Sequence, residues 1–302
     1  MAFKRHHFLL GGLILSFVGI GLWLWLGRVP PATTKGRSMH QVMLKMADGR
    51  TLRVSVPDGA PQIPRSSIPK PAASAVAFRT NNPLLQVIVD SARELPTRLA
   101  AVGQLSSAPL PQETLKETLT YLATPVSDEP AVAERERALR NELLNMLRLD
   151  PARAAVAVPA LVRQAADTDQ DPGMRDYALQ HLAAWVPGLP VDEKKQAVLA
   201  LQNALKDPEG TYAGTALLGL DDLSRRKLLT GNFDTGAEAR RIVLDDQYNI
   251  LSRLSAMALV SELHVQDAAL ETMARRWTDT PSLPLGARRA AEAFLRTLHS
   301  IN

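Results

Sequence analysis

Three kinds of hydrophobic spacing divide this chain. Phe8 to Gly27 is an unbroken run of 20 residues without a charge. As a helix rising about 1.5 Å per residue it reaches about 30 Å, the hydrocarbon thickness of a bilayer. Further on, Val42, Leu44 and Met46 alternate with more polar neighbours, and so do Leu52, Val54 and Val56, with Asp48-Gly49 between them. Period-two patterning around Asp-Gly predicts a β-hairpin. From about Pro83 to the end, apolar positions recur at the three-and-four spacing of helices, as at Leu115, Leu119 and Leu122 or Val198, Leu201 and Leu205.

Between hairpin and helices lies a different texture. Pro57, Pro61, Pro64, Pro69, Pro71 and Pro83 fall within 27 positions, with Ser and Ala between. Such chain builds no ladder and, fully extended at about 3.1 Å per residue, reaches roughly 80 Å. Four segments follow: a tail and anchor over 1–28, a spacer and hairpin over 29–56, a Pro-rich linker over 57–82 and a helical domain over 83–302.

Within the helical domain one phrase recurs: Arg, two residues, Ala, three residues, Leu. It is read at Arg98/Ala101/Leu105, Arg175/Ala178/Leu182 and Arg288/Ala291/Leu295. Looser copies lie at Arg135/Ala138, with Leu143 out of step by one, at Ala213/Ala216/Leu220 and at Arg253/Ala256/Val260. The alanines at 101, 138, 178, 216, 256 and 291 are 35 to 40 residues apart, a period that predicts stacked helix pairs. Ala and the Leu four later share a helix face, so a small side chain admits a neighbour and Leu fills the gap. The spacing also places Arg175 within reach of Asp169 or Asp171 at the preceding joint.

These residues resemble HEAT repeats, in which an acidic turn, an Arg and a small residue mark the second helix. The resemblance spans about Pro83 to Asn302. It implies an all-α fold, a right-handed α-α solenoid of about six pairs, here preceded by one transmembrane helix and a short hairpin. The motif is degenerate, and tetratricopeptide and other α-α arrays share much of it.

Charge refines the picture. The chain has 35 basic and 31 acidic residues, a net +4. Val29 to Arg79 holds eight Lys/Arg against Asp48 and Asp58, whereas Thr80 to Asn302 holds 24 against 29. The helical domain is therefore mildly acidic, which argues against nucleic-acid binding. Hydrophobic residues at 46 % exclude a disordered chain, and the absence of Cys excludes disulfides and thiolate metal sites.

The apolar run exceeds a signal-peptide core, and no small-x-small site follows at Gly27-Arg28-Val29-Pro30-Pro31. It is expected to be an uncleaved anchor, with Lys4 and Arg5 in the cytoplasm and the rest outside, as in the periplasm of a bacterial inner-membrane protein. Arg28, Lys35 and Arg37 weigh against that orientation.

No catalytic, cofactor or metal site emerges. Asp167 to Gly173 places Pro172 and Ala178 where a calcium loop needs Gly and a bidentate acid, so Asp171 reads as a helix N-cap. His181 reads as a packing or surface residue, and the pairs Asp221-Asp222 and Asp245-Asp246 as solvated or capping. Tandem basic residues, Arg225-Arg226, Arg240-Arg241 and Arg275-Arg276, recur near repeat ends and are the expected ridge for an acidic partner. Leu229 to Thr235 breaks the rhythm, and its Phe233 is expected to be an exposed contact. The expected function is a non-enzymatic membrane scaffold that binds a protein partner. The alternatives are a tethered folding chaperone, on the organisational likeness to lipase-specific foldases, and a lyase, since some HEAT-like domains act on tetrapyrroles.

Overall fold

Short polar side chains and prolines set where the helices begin. Asn82, Asp150, Asp171, Asp234, Asn249 and Asp267 each accept hydrogen bonds from backbone N–H groups of the first turn that follows. Pro83, Pro151 and Pro172 occupy the next position, where a missing N–H costs nothing. The computed structural model describes residues 39–45, 51–57, 78, 80–107 and 109–300, with side chains from 78 to 298 where described.

The described residues fall into two units, one within 1–77 and one within 78–302. In the first, β1 (Met39–Lys45) and β2 (Thr51–Pro57) pair antiparallel, Met39 opposite Pro57 and Lys45 opposite Thr51. The Asp48-Gly49 turn and the apolar run Phe8 to Gly27 lie outside the described residues. No described helix is long and apolar enough to cross a membrane.

The second unit is all-helical, with twelve described helices in a repeat-like arrangement. Taken in chain order they form pairs: α1 (Pro83–Val89) with α2 (Leu95–Ser106), α3 (Gln112–Leu122) with α4 (Pro130–Arg148), whose backbones stay apart and which meet through Tyr121 on Glu136 and Arg140, and α5 (Pro151–Ala166) with α6 (Pro172–Trp185). Then come α7 (Val191–Ala204) with α8 (Tyr212–Arg225), α9 (Thr235–Leu244) with α10 (Ile250–Glu262), and α11 (Ala268–Thr278) with α12 (Leu285–Ser300). Every substantial helix contact lies within a pair or between adjacent pairs, and the second helices form one continuous layer. One apolar core runs through the stack, as expected where no pair can bury its own face.

The phrase residues explain the stacking. Ala178, Ala216, Ala256 and Ala291 are fully buried. Where α8 passes its neighbours even alanine is too large. A Cβ on Gly214 would sit 2.9 Å from the Ser252 backbone, and one on Gly219 would sit 2.8 Å from the Ala183 side chain. The helices α8 and α10 also end alike, with Lys227 and His264 at positive φ and N–H bonds from Leu228 to Leu223 and from Val265 to Val260. Both are Schellman closures, 37 residues apart.

The second pair departs from the phrase. Ala138 is only half-buried, and the inward positions are Glu136, Leu139 and Leu143. Glu thus stands in the Arg place and Leu in the Ala place, one residue later than the sequence spacing suggests. The larger Leu139 holds the neighbour away, and α4 meets α6 less extensively than the other second helices meet theirs.

The phrase arginines do more than reach an acid. Arg98, Arg175 and Arg253 donate Nε–H to the carbonyls of Ile88, Ala165 and Val243 at 2.6, 3.2 and 3.0 Å. Each acceptor is the penultimate residue of the first helix of its own pair, so the guanidinium closes that helix's C-terminus. The remaining N–H groups reach onward: Arg98 to Glu136 at 2.7 Å and Arg175 to Asp207 at 2.8 Å, both in the next pair or its joint, and Arg253 to Asp246 at 2.7 Å. The expectation that Arg175 reaches Asp169 or Asp171 is corrected. Asp171 is already held by the Arg137 fork, at 2.8 and 2.7 Å. Aromatic rings complete the clamps, with Arg175 4.0 Å above the Tyr212 ring and Arg253 5.2 Å above Trp277.

Two stability outcomes follow. Arg175→Ala removes the ion pair to a partly exposed Asp207 and the bond to the Ala165 carbonyl, and is expected to cost about 2 kcal/mol. Arg275→Ala removes only an exposed pair with Glu271 and is expected to cost less than about 0.5 kcal/mol; urea unfolding of both variants compares them. His181 supplies the second. Burial, with the Arg148 charge adding to it, lowers its pKa from 6.5 to about 3. The unfolded chain then binds a proton that the folded one refuses, so stability is full above pH 6.5 and declines as pH falls towards 3. A slope of about 1.4 kcal/mol per pH unit is expected near pH 5, and His181→Gln flattens it.

Candidate functional site

The expected basic ridge carries little spare charge. Arg225 pairs with Asp221 at 2.7 Å and Glu262 at 2.6 Å, and Arg226 with Asp222 at 3.2 Å. Arg240 holds Asp267 at 2.7 Å, and Arg241 holds Glu238 at 2.9 Å and the Leu205 carbonyl at 3.1 Å. Arg275 meets Glu271 at 2.6 Å, and Arg276 lies 3.8 Å from Asp246. Several of these link neighbouring pairs: Arg240 keeps the Asp267 carboxyl below its ordinary range chiefly by hydrogen bonding, while burial opposes the shift. They are exposed cross-ties, and each charge is answered within the chain.

Phe233 is not the exposed contact expected from sequence. Its loop turns at Gly231, φ +92°, and the ring is half-buried against the core. Asp171 is an N-cap as read, accepting from Met174 N–H at 3.0 Å. Its carboxyl is held well below the usual carboxylate range, first by Arg137 and then by backbone N–H groups, while burial opposes the shift. His181 is buried, its Nε2 2.9 Å from Asn141 Oδ1, so it joins the third pair to the second. Among the described residues no group of three or more His, Asp or Glu could hold a metal ion.

A second polar assembly lies buried between the first two pairs. Tyr121 donates its hydroxyl to Glu136 at 2.6 Å and accepts from Arg98 at 3.2 Å. Arg140 packs 4.9 Å from the Tyr121 ring and donates to the Thr124 carbonyl. Burial first, then the Glu136 charge and hydrogen bond, raise the phenol to about 12. With Arg140 2 % and Arg98 4 % exposed, nothing from solvent reaches these groups, and the cluster binds α3 to α2 and α4.

A large opening lies beside it, between α3 and α5, with a volume of about 1030 Å³. Here the first helices touch only sparingly, whereas α5 and α7 pack along their length. Leu115, Leu119 and Leu122 form one wall, and Val156, Ala160 and Leu161 the other. Val156 is 57 % exposed, although it lies on an apolar helix. At one end Gln164 donates to the Leu122 carbonyl at 3.4 Å and ties the walls together. Pro159 sits within α5 and lines the opening. It has no N–H to return to the carbonyl of Ala155, so the helix loses one internal bond there.

Three cations line the opening: Arg153, paired with Asp150, and, from opposite walls, Lys116 on α3 and Arg163 on α5. Lys116 and Arg163 are exposed, and neither has an ion-pair partner among the described residues. Two carboxylates lie at the ends. Asp150 caps α5 and pairs with Arg153 at 3.2 Å, and Asp167 accepts from Asp169 N–H at 3.0 Å. Sequence reading missed this site. Its signals were a proline inside a helix, an exposed Val156 on the face of Pro159, and a break in the phrase at the neighbouring pair.

No family model matches the chain, and no curated protein does. Among solved structures, the chain is similar to human deoxyhypusine hydroxylase, determined in complex with glycerol. Identity is 19 %, the match covers 71 % of this chain and 83 % of that one, and the TM-score is 0.36. That neighbour is an enzyme, and the expectation that the chain is not one is withdrawn. So low a TM-score carries no argument about the chemistry of this chain.

Proposed function

We propose that this chain is a membrane-anchored helical-repeat protein that holds a segment of a partner protein in the groove between α3 and α5. In this reading Phe8 to Gly27 is the anchor. The Pro-rich stretch 57–82 lets a right-handed, HEAT-like array work away from a bacterial inner membrane, on the periplasmic side. The observation that carries the reading is the groove itself. It joins apolar walls, an exposed Val156 and two cations, Lys116 and Arg163, that have no ion-pair partner among the described residues. Open apolar clefts with a few placed polar groups are where proteins take ligands, and stacked pairs offer extended surface for protein contact.

Two experiments test the reading. With a photo-reactive benzoylphenylalanine at Val156 of the full chain in cells, a discrete protein adduct is expected. The same residue at Leu199, 57 % exposed on α7, is expected to give none. Equal adducts at both positions, or none at Val156, contradict the reading. An alkaline phosphatase fused after Asn302 is expected to be active, because that enzyme folds only outside the cytoplasm. An inactive phosphatase together with a fluorescent cytoplasmic reporter at the same position contradicts the proposed sidedness.

A further inference from the structure

Resting on the reading that a partner segment enters the α3–α5 groove, we infer that the segment is an amphipathic α-helix with acidic shoulders. Shape comes first. The walls are themselves helices, and their groove-facing residues recur at helical spacing, Leu115, Leu119 and Leu122 against Val156, Ala160 and Arg163. A helix about 10 Å across displaces roughly 80 Å³ per Å of length, so 1030 Å³ corresponds to about 13 Å, or between two and three turns.

Backbone chemistry then separates a helix from an extended peptide. A strand bound in a groove needs donors and acceptors along its length. The α3 and α5 walls spend theirs internally. The exceptions are the uncapped first turn of α3 at one end and, mid-wall, the Ala155 carbonyl, which Pro159 leaves without its helical donor. An extended peptide would therefore bury unmet N–H and C=O groups, each at a cost. A helix brings its backbone already satisfied and offers only an apolar stripe.

Charge fixes the shoulders. Lys116 and Arg163 project from opposite walls, so one cation faces each flank of a seated helix. Asp150 is answered by Arg153 and Asp167 lies at the groove end beyond Arg163, so the lining keeps a net single positive charge. Glu or Asp beside the apolar stripe meets unpaired positive charge, and Lys or Arg at the same places is repelled.

The test uses the full chain in detergent and three labelled peptides read by fluorescence anisotropy. One has Leu at helical spacing with Glu shoulders, the second has Lys shoulders, and the third is the Glu peptide with a central proline. The Val156→Asp chain in the same detergent measures binding to the micelle. Above that background, the Glu peptide is expected to bind about tenfold or more tighter than either other peptide. Lys116→Glu combined with Arg163→Glu is expected to reverse the preference between Glu and Lys shoulders. Both positions are exposed, and circular dichroism verifies that the variants remain helical. No binding of the Glu peptide, indifference to shoulder charge, or equal binding of the proline peptide overturns the inference. So does concentration-dependent self-association that Val156→Asp abolishes, since the occupant is then a second copy. If the Val156 photo-adduct persists while the peptides show no preference, groove docking stands and the acidic helix falls. If the adduct is also missing, both fall.

Discussion

A guanidinium buried at the joint between helix pairs is the interaction on which this array depends. In Arg98, Arg175 and Arg253 one side chain closes the C-terminus of the helix before it and also grips a carboxylate. For Arg98 and Arg175 that carboxylate belongs to the next pair or its joint. An arginine suits both tasks, because its planar head offers several fixed N–H donors and stays charged when buried. Removing it would expose two deficits together, an orphan carbonyl and an unpaired acid. The last pair shows the same need from the other side. Arg288 holds the phrase position, but its buried Nε has no hydrogen-bond partner among the described residues.

Regular stitching also explains where regularity fails. Alanine or glycine at the crossing points lets second helices approach, as at Gly214, Gly219 and Ala216. In the second pair Leu139 and Glu136 occupy the inward places instead. That joint relies on polar ties: the Arg137–Asp171 fork, His181 with Asn141, and Gln164 on the Leu122 carbonyl. The groove lies at this same joint, and Pro159 widens the contrast by interrupting α5. One local change in side-chain size thus links sequence, packing and the surface offered to a partner.

Much of the architecture was legible in the sequence, because burial imposes a period. Six pairs, the small-residue crossings and the Asp171 cap all follow from spacing and cap chemistry. The second pair's register was misread by one residue, since Arg135 and Ala138 imitate the phrase while the core selects Glu136 and Leu139. The partners of Arg175 could not be ranked from sequence, because Asp169, Asp171 and Asp207 all lie near joints and only packing separates them. The arginine ridge failed as a free-charge surface for a similar reason: Glu262, Asp267 and Asp246 lie far along the chain but adjacent in space. The groove was hidden because it is a missing contact, and periodicity records contacts that are made.

Backbone hydrogen exchange on the full chain carrying Arg253→Ala tests the central claim most directly. If each pair leans only on its neighbours through such clamps, protection should fall in α9 and α10 and in the facing helices α8 and α11. The first two pairs should exchange as in the unsubstituted chain. Faster exchange spread evenly from α1 to α12, or no change around α9 and α10, would contradict the account.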